Sequence, residues 1–100
     1  MYGQNKDDSS INRFTDVLTG SATWDPSSIS DGDEQATGIT VAGAELGDFV
    51  MASLSVDIQD MVLDAQVTAA DTVTCVLANN TGSAVDLGSS TASVIVVKAV

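Results

Sequence analysis

The stretch TAADTVTCVLANNTG, residues 68–82, decides the fold, because it holds a run of Thr, Val and Leu between two groups of turn-forming residues. Val73, Cys75 and Leu77 alternate with the residues between them, as side chains do when they point to opposite faces of a β-strand. Asp71 precedes this run, two Asn and a Gly follow it, and these residue types favour turns. The stretch therefore predicts a strand between two turns.

The same pattern recurs along most of the chain, where short runs rich in Val and Thr are separated by Gly, Asp, Asn and Ser. About six to eight short strands at such spacing are typical of an antiparallel β-sandwich, either Ig-like or jelly-roll-like. We therefore expect an all-β protein. The predicted strands are 36–42, 49–56, 62–68, 72–79, 84–87 and 91–99.

The beginning of the chain differs in composition from the rest. Residues 1–20 are polar and interrupted, which predicts an extended N-terminal arm ahead of a sandwich domain at 21–100. Four apolar residues between Ile11 and Leu18 share the spacing of one helix face, and Ser10 is a suitable N-cap, so a short helical turn is predicted there. Because so short a helix is unstable alone, we expect partner contacts to order the arm. A frayed terminus without a role is the alternative.

The charge of the chain argues against several classes of partner. Fourteen acidic residues face three basic ones, which gives a net charge of −11 with no His. Nucleic-acid binding depends on Lys and Arg at the phosphates, so no nucleic-acid partner is expected. The acidity fits either a solvated surface or complementarity to a basic partner. No apolar run approaches the ~18 residues of a membrane span and the start does not resemble a secretory signal, so we expect a soluble protein without a membrane partner.

Catalysis is not predicted, because the residue types that it needs are missing or unsuitably placed. Without His a Ser-His-Asp arrangement is impossible, and nothing selects a pair of carboxylates from the many present. Cys75 is the single cysteine, which excludes an internal disulfide, and its aliphatic neighbours predict an inert core thiol. The triplet Asn79-Asn80-Thr81 fits a glycosylation site, but we interpret it as a turn. We expect no enzyme and no catalytic residue.

The strongest metal candidate is the acidic turn at Asp31, Asp33 and Glu34, because calcium prefers clustered carboxylate oxygens. The run that begins at Asp31 departs from the EF-hand loop pattern, since Ala36 and Ala42 occupy its sixth and twelfth positions. We therefore interpret the acidic residues as a solvated turn. No metal or cofactor is therefore predicted.

Two predicted strands carry apolar residues on both faces, FVMASLSV at 49–56 and ASVIVVKAV at 92–100. An apolar outer face needs a cover, which is either a subunit or partner interface or the N-terminal arm. Only 4% of residues are aromatic, so the core is small and a lone monomer is expected to be marginal. The candidate interface residues are Ile11, Phe14 and Leu18 in the arm, and Phe49, Met51, Ile95 and Val97 in the strands.

Three segments together resemble a family of small β-sandwich structural proteins of tailed bacteriophages, the head decoration or cement proteins. The resemblance covers about 22–97 and leaves the first twenty residues outside. Its most specific elements are WDP, GDF and TGxxVDL, in that order. These elements are Trp24-Asp25-Pro26, Gly47-Asp48-Phe49 and Thr81-Gly82-Ser83-Ala84-Val85-Asp86-Leu87, within the segments 24–32, 43–59 and 67–96.

The resemblance implies a virion component made in the host cytoplasm and placed on the capsid exterior, with no catalytic activity. Such a protein binds the major capsid protein, bridges neighbouring capsomers and is often a homotrimer, in which three weak contacts act together. The alternative is another virion position: a tail, neck or head-fibre module that recognises a surface or a glycan.

Overall fold

A computed structural model describes residues 16–99 of the chain. Within that range the regular elements are six β-strands, which confirms the all-β class. None of these residues forms a helix long and apolar enough to cross a membrane. The strands are β1 (Val17–Trp24), β2 (Glu34–Thr40), β3 (Phe49–Leu54), β4 (Val62–Ala69), β5 (Thr72–Ala78) and β6 (Ser90–Val97).

The six strands form two three-stranded antiparallel sheets, ordered β1-β6-β3 and β2-β5-β4. The stretch at 68–82 supplies the end of β4, the whole of β5 and the turns on either side of it. Between β4 and β5 the chain reverses at Ala70 and Asp71, and Asp71 adopts a positive φ of 63°. Asp residues tolerate this left-handed conformation better than most. The sheets pack face to face, with β3 nearest β4 and β1 nearest β2.

The core lies between the sheets and is built from aliphatic side chains. Val73, Cys75 and Leu77 of β5 are fully buried, and Val94 and Val96 of β6 are buried opposite them. Removing this apolar surface from water contributes roughly 25 cal/mol per Å². The alternation predicted for 72–79 and 62–68 is therefore confirmed.

The first strand differs from the sequence prediction. β1 begins at Val17, so the sandwich starts before residue 21, and the helical turn predicted for 10–18 is wrong at Val17 and Leu18. The remainder of that prediction, and of the arm, lies outside the described residues. Gly20 sits in the middle of β1 because the chain passes very close to the segment that follows β2. A Cβ at Gly20 would lie 2.7 Å from Val41 Cγ2.

The strand predicted at 84–87 is also wrong, because only a single bridge forms there. Ile29 and Val85 exchange two backbone hydrogen bonds of 2.9 and 3.0 Å. The chain then turns, since Asp86 Oδ1 accepts a hydrogen bond from Gly88 N at 3.1 Å and Gly88 has a φ of 73°. This turn ends the pairing before a strand can extend.

Candidate functional site: an uncharged sheet face

The outer side of the β1-β6-β3 sheet exposes a group of apolar side chains. Strand pairing places Val17 beside Val97 and Val97 beside Phe49, while Ile95 pairs with Met51 in the next outward row. Phe49 is 68% exposed and Met51 is 65% exposed, and Val17 and Ile95 are about two-fifths exposed. We call these five residues the apolar patch: Val17, Phe49, Met51, Ile95 and Val97.

The rest of the same face carries small hydroxyl side chains. Ser21, Ser93 and Ser53 form one row across the three strands, and Thr23 and Thr91 lie beyond it. No outward-facing residue of these three strands is charged. We call this surface, with the apolar patch at one end, the uncharged face. In a chain of net charge −11, it is a surface on which two molecules can meet without opposing like charges.

The inner side of the same sheet is apolar as well, which explains why the sequences of β3 and β6 do not alternate. Val94 and Val96 are buried, and Val50, Ala52 and Leu54 pack against the core. A sheet that is apolar on both faces is typical of one covered on both sides. Contiguous exposed apolar surface of this kind marks interaction sites on soluble proteins.

The structure brings together the strand residues that were predicted as interface residues. Phe49, Met51, Ile95 and Val97 all lie on the apolar patch. Leu18 does not join them, because it faces inward and packs against the core. Val17 takes its place on the patch. The period of two along β1 puts Val17 and Leu18 on opposite faces, whereas the helical period put both on one face.

The two remaining interface candidates, Ile11 and Phe14, lie outside the described residues. Their placement on the arm stays a prediction. In the described part of the chain, β1 starts at Val17, which is itself a residue of the apolar patch.

A cluster around Lys98 borders the apolar patch and holds the loop between β2 and β3 against the end of β6. Lys98 Nζ donates hydrogen bonds to Gly43 O at 2.8 Å, Glu45 Oε1 at 2.9 Å and Asp48 Oδ2 at 2.7 Å. Asp48 directly precedes Phe49 in the sequence, so the cluster fixes the position at which β3 enters the patch. We call these residues the Lys98 cluster.

The charges in the Lys98 cluster stabilise one another. The side chain of Asp48 is only 4% exposed. The hydrogen bond from Lys98, with those from the backbone N–H groups of Ala99 and Glu45, lowers the pKa of Asp48 to about 2. Hydrogen bonds to Asp48 and Glu45 raise the pKa of Lys98 above its ordinary value of 10.5. Lys98 is the single base of the described residues, and it is already paired with two carboxylates.

An open depression of about 380 Å³ lies at the same end of the sandwich. It is lined by Asp16, Val17, Leu18, Gly43 and Lys98. Gly43 has a φ of 92°, and a Cβ there would lie 3.3 Å from Leu18 Cδ1. The depression therefore combines an aliphatic wall with the Lys98 cluster, at the point where residues 1–15 join the sandwich.

The other sequence candidates have structural explanations. Cys75 is fully buried between the sheets, and burial raises the pKa of its thiol, so it is a core residue. Asn79 is buried too, and its amide group donates to Ile29 O at 2.7 Å and Ser83 O at 2.8 Å. Its Oδ1 accepts from Thr81 N at 2.9 Å. Asn79 thus holds two loops together and has no free amide hydrogen for glycosylation.

Two carboxylates of the acidic turn at 31–34 accept hydrogen bonds from backbone N–H groups. Asp31 Oδ1 accepts from Gly82 N at 3.0 Å, and Asp33 Oδ1 accepts from Glu34 N at 2.8 Å. Among residues 16–99, no three His, Cys, Asp or Glu side chains are grouped closely enough to hold a metal ion. Asp33 thus stabilises the turn itself, and Asp31 ties the turn to the loop at Gly82.

The uncharged face is the feature on which a functional argument can rest, and its chemistry is that of contact between proteins. It presents aliphatic, aromatic and hydroxyl groups without a base or a nucleophile activated by one. No protein-family model matches the chain, and no curated protein sequence matches it either.

Proposed function

We propose that the protein is a head decoration protein of a tailed bacteriophage, acting as a homotrimer on the capsid exterior. In this role it binds the major capsid protein, bridges neighbouring capsomers and stabilises the head without catalysing a reaction. The observation that carries the proposal is the uncharged face, an exposed and partly apolar surface on an otherwise acidic sandwich. The resemblance of residues 22–97 to phage structural proteins supports the choice of a capsid as the partner.

The chemistry of the uncharged face suits a lattice-binding protein. Phe49 and Met51 expose large apolar side chains to water. Docking removes this apolar surface from water, which favours association. A capsid offers many identical sites, and a trimer joins three weak contacts through their high effective concentration. The acidic residues elsewhere keep the free protein soluble and disfavour binding to the packaged nucleic acid.

Binding to capsids that lack decoration protein tests this proposal. We expect the full chain to saturate such capsids, and the double variant Phe49→Ser, Met51→Ser to bind at least tenfold more weakly, which corresponds to about 1.4 kcal/mol. The matched control is Val62→Ser, which removes an apolar residue that is 56% exposed on the outer side of the β2-β5-β4 sheet. Co-sedimentation with capsids over a concentration series gives the affinities.

Two results would contradict the proposal. One is the absence of binding by the unaltered chain to any form of the capsid. The other is equal loss of binding in the patch variant and in Val62→Ser, because the uncharged face would then have no special part in docking.

The hydroxyl end of the uncharged face favours a second candidate, a tail, neck or head-fibre module that recognises a glycan. Ser21, Ser53 and Ser93 offer neighbouring donors and acceptors of the kind that sugars bind. Copy number in the purified particle separates the two functions. A decoration protein is present in many copies, in proportion to the number of capsomers. A tail or vertex module is present in only a few copies per particle.

A further inference from the structure

The N-terminal segment joins the sandwich at the edge of the apolar patch. Val17 is both the first residue of β1 and a member of the patch. Residues 1–15 precede it and include the apolar Ile11 and Phe14. Fully extended, a segment of this length spans about 50 Å. The six-residue strand β3 is about 20 Å long, so the segment is long enough to reach across a second molecule.

The backbone at Asp16 continues the line of β1 beyond the edge of the patch. Lys98 N donates a hydrogen bond to Asp16 O at 3.1 Å, one residue beyond the pair that Val17 and Val97 form. The backbone at Asp16 therefore still follows the line of β1, which runs from the patch into the body of the sheet. To place Phe14 on its own patch, the chain would have to reverse within Thr15 and Asp16, although Asp16 is aligned with β6.

Charge also favours the segment as the occupant of the patch on another copy. Residues 1–15 hold two bases, Lys6 and Arg13, and two acids, Asp7 and Asp8, so the side chains of the segment carry no net charge while the rest of the chain carries the −11. At the rim of the patch, the side chain of Glu45 is 74% exposed beside the buried carboxylate of Asp48. Contacts between other faces of two copies would oppose acidic surfaces, whereas Arg13 beside Phe14 brings a positive charge to this rim.

From these observations we propose that residues 1–15 of one copy dock on the uncharged face of a second copy. Phe14 and Ile11 pack on the apolar patch, and Arg13 lies near Glu45 of the copy that receives the segment. Three copies that each give a segment to the next close a ring, which matches a homotrimer. This inference concerns how copies hold one another, and its tests need no capsid. In the trimer the segment covers the apolar patch, so the capsid contacts the Ser and Thr end of the uncharged face, and loss of the trimer explains the weaker capsid binding of the patch variant.

Paired cysteine variants of the full chain test the exchange. A tagged copy carrying Phe14→Cys is mixed with an untagged copy carrying Met51→Cys, and the mixture is oxidised mildly. We expect a disulfide-linked heterodimer on a non-reducing gel, at least tenfold more abundant than with Val62→Cys as the untagged partner. Val62 is the matched control because it is exposed on the opposite sheet, and the native Cys75 is too buried to react.

A chain that carries both Phe14→Cys and Met51→Cys shows whether residues 1–15 dock on another copy or on their own copy. Exchange predicts cross-linked oligomers, whereas a bridge within a monomer would overturn the proposal. Equal cross-linking to Val62→Cys and Met51→Cys would overturn it as well.

A second measurement uses Ile11→Ser, Phe14→Ser in the full chain, with both changes outside the core described above. Sedimentation equilibrium should show self-association weakened at least tenfold, and unchanged association would contradict the exchange. These results are independent of whether any capsid binds the protein.

Discussion

The outer faces of the two sheets differ in chemistry although both sheets pack on one core. On the β2-β5-β4 sheet, Glu34, Asp64 and Gln66 point outward, and the hydroxyls of Thr68 and Thr74 are 2.7 Å apart. The β1-β6-β3 sheet carries the apolar patch and no outward charge. The first face is suited to water and the second to a partner.

The difference shows that the acidity of the chain belongs mainly to its turns. Asp57 Oδ1 accepts from Gln59 N at 2.9 Å, and Asp71 Oδ1 accepts from Gly43 N at 2.8 Å. Short Asp side chains favour turns because they satisfy backbone N–H groups that have no strand partner. The net charge is therefore largely a consequence of connecting six strands, and it leaves one sheet face free of charge.

The largest loss of stability is expected from a substitution at the point where β1 lies close to the other sheet. Gly20→Ala places a Cβ within 2.7 Å of Val41 Cγ2 and 3.2 Å of Thr40 O, so β1 must shift. Overpacking of this kind costs about 1–3 kcal/mol in the free energy of unfolding. The control Ser21→Ala changes the outward neighbour and should stay within about 0.5 kcal/mol. Urea denaturation measures both, and equal stabilities would show that the close contact of β1 is not required.

Local signals in the sequence were sufficient to predict β3, β4, β5 and β6, because each of these strands carries a clear pattern of apolar residues. Val73, Cys75 and Leu77 alternate over a full strand and lie in the core as expected. Phe49 and Ile95 were predicted on a contact surface because their strands are apolar on both sides, and the structure places both on the uncharged face.

Features that depend on distant parts of the chain could not be predicted in the same way. Gly20 was interpreted as a boundary, because nothing nearby in the sequence shows that Val41 packs against it. Asn79 binds the carbonyl of Ile29, fifty positions earlier, so its role required the three-dimensional fold. Lys98 likewise meets Asp48 only after β6 has paired with β3.

A charge placed on each outer face should have unequal consequences for self-association. Met51→Asp introduces a carboxylate in the apolar patch, and we expect association to weaken about tenfold, or roughly 1.4 kcal/mol, because the charge must be desolvated on docking. The matched variant Gln66→Asp adds the same charge to the polar face and should leave association unchanged. Sedimentation velocity over a dilution series measures both. If the two variants weaken association equally, net charge rather than the uncharged face controls assembly.

The smallest expected effect is a change in acid sensitivity at the rim of the uncharged face. Asp48 has its pKa lowered from 3.8 to about 2, so its contribution to stability is fully present above pH 3.8 and is lost as the pH falls towards 2. Asp48→Asn removes the carboxylate, so the variant should be less stable than the unaltered chain at neutral pH. Its stability should also change less between pH 3.8 and 2. Asp64→Asn, on the polar face, leaves the Lys98 cluster intact and should keep the original acid profile. Thermal unfolding from pH 2 to 6 compares the three proteins. If Asp48→Asn lost as much stability at low pH as the unaltered chain, the acid sensitivity would come from other carboxylates. The Lys98 cluster would then not be what holds the start of β3 in place.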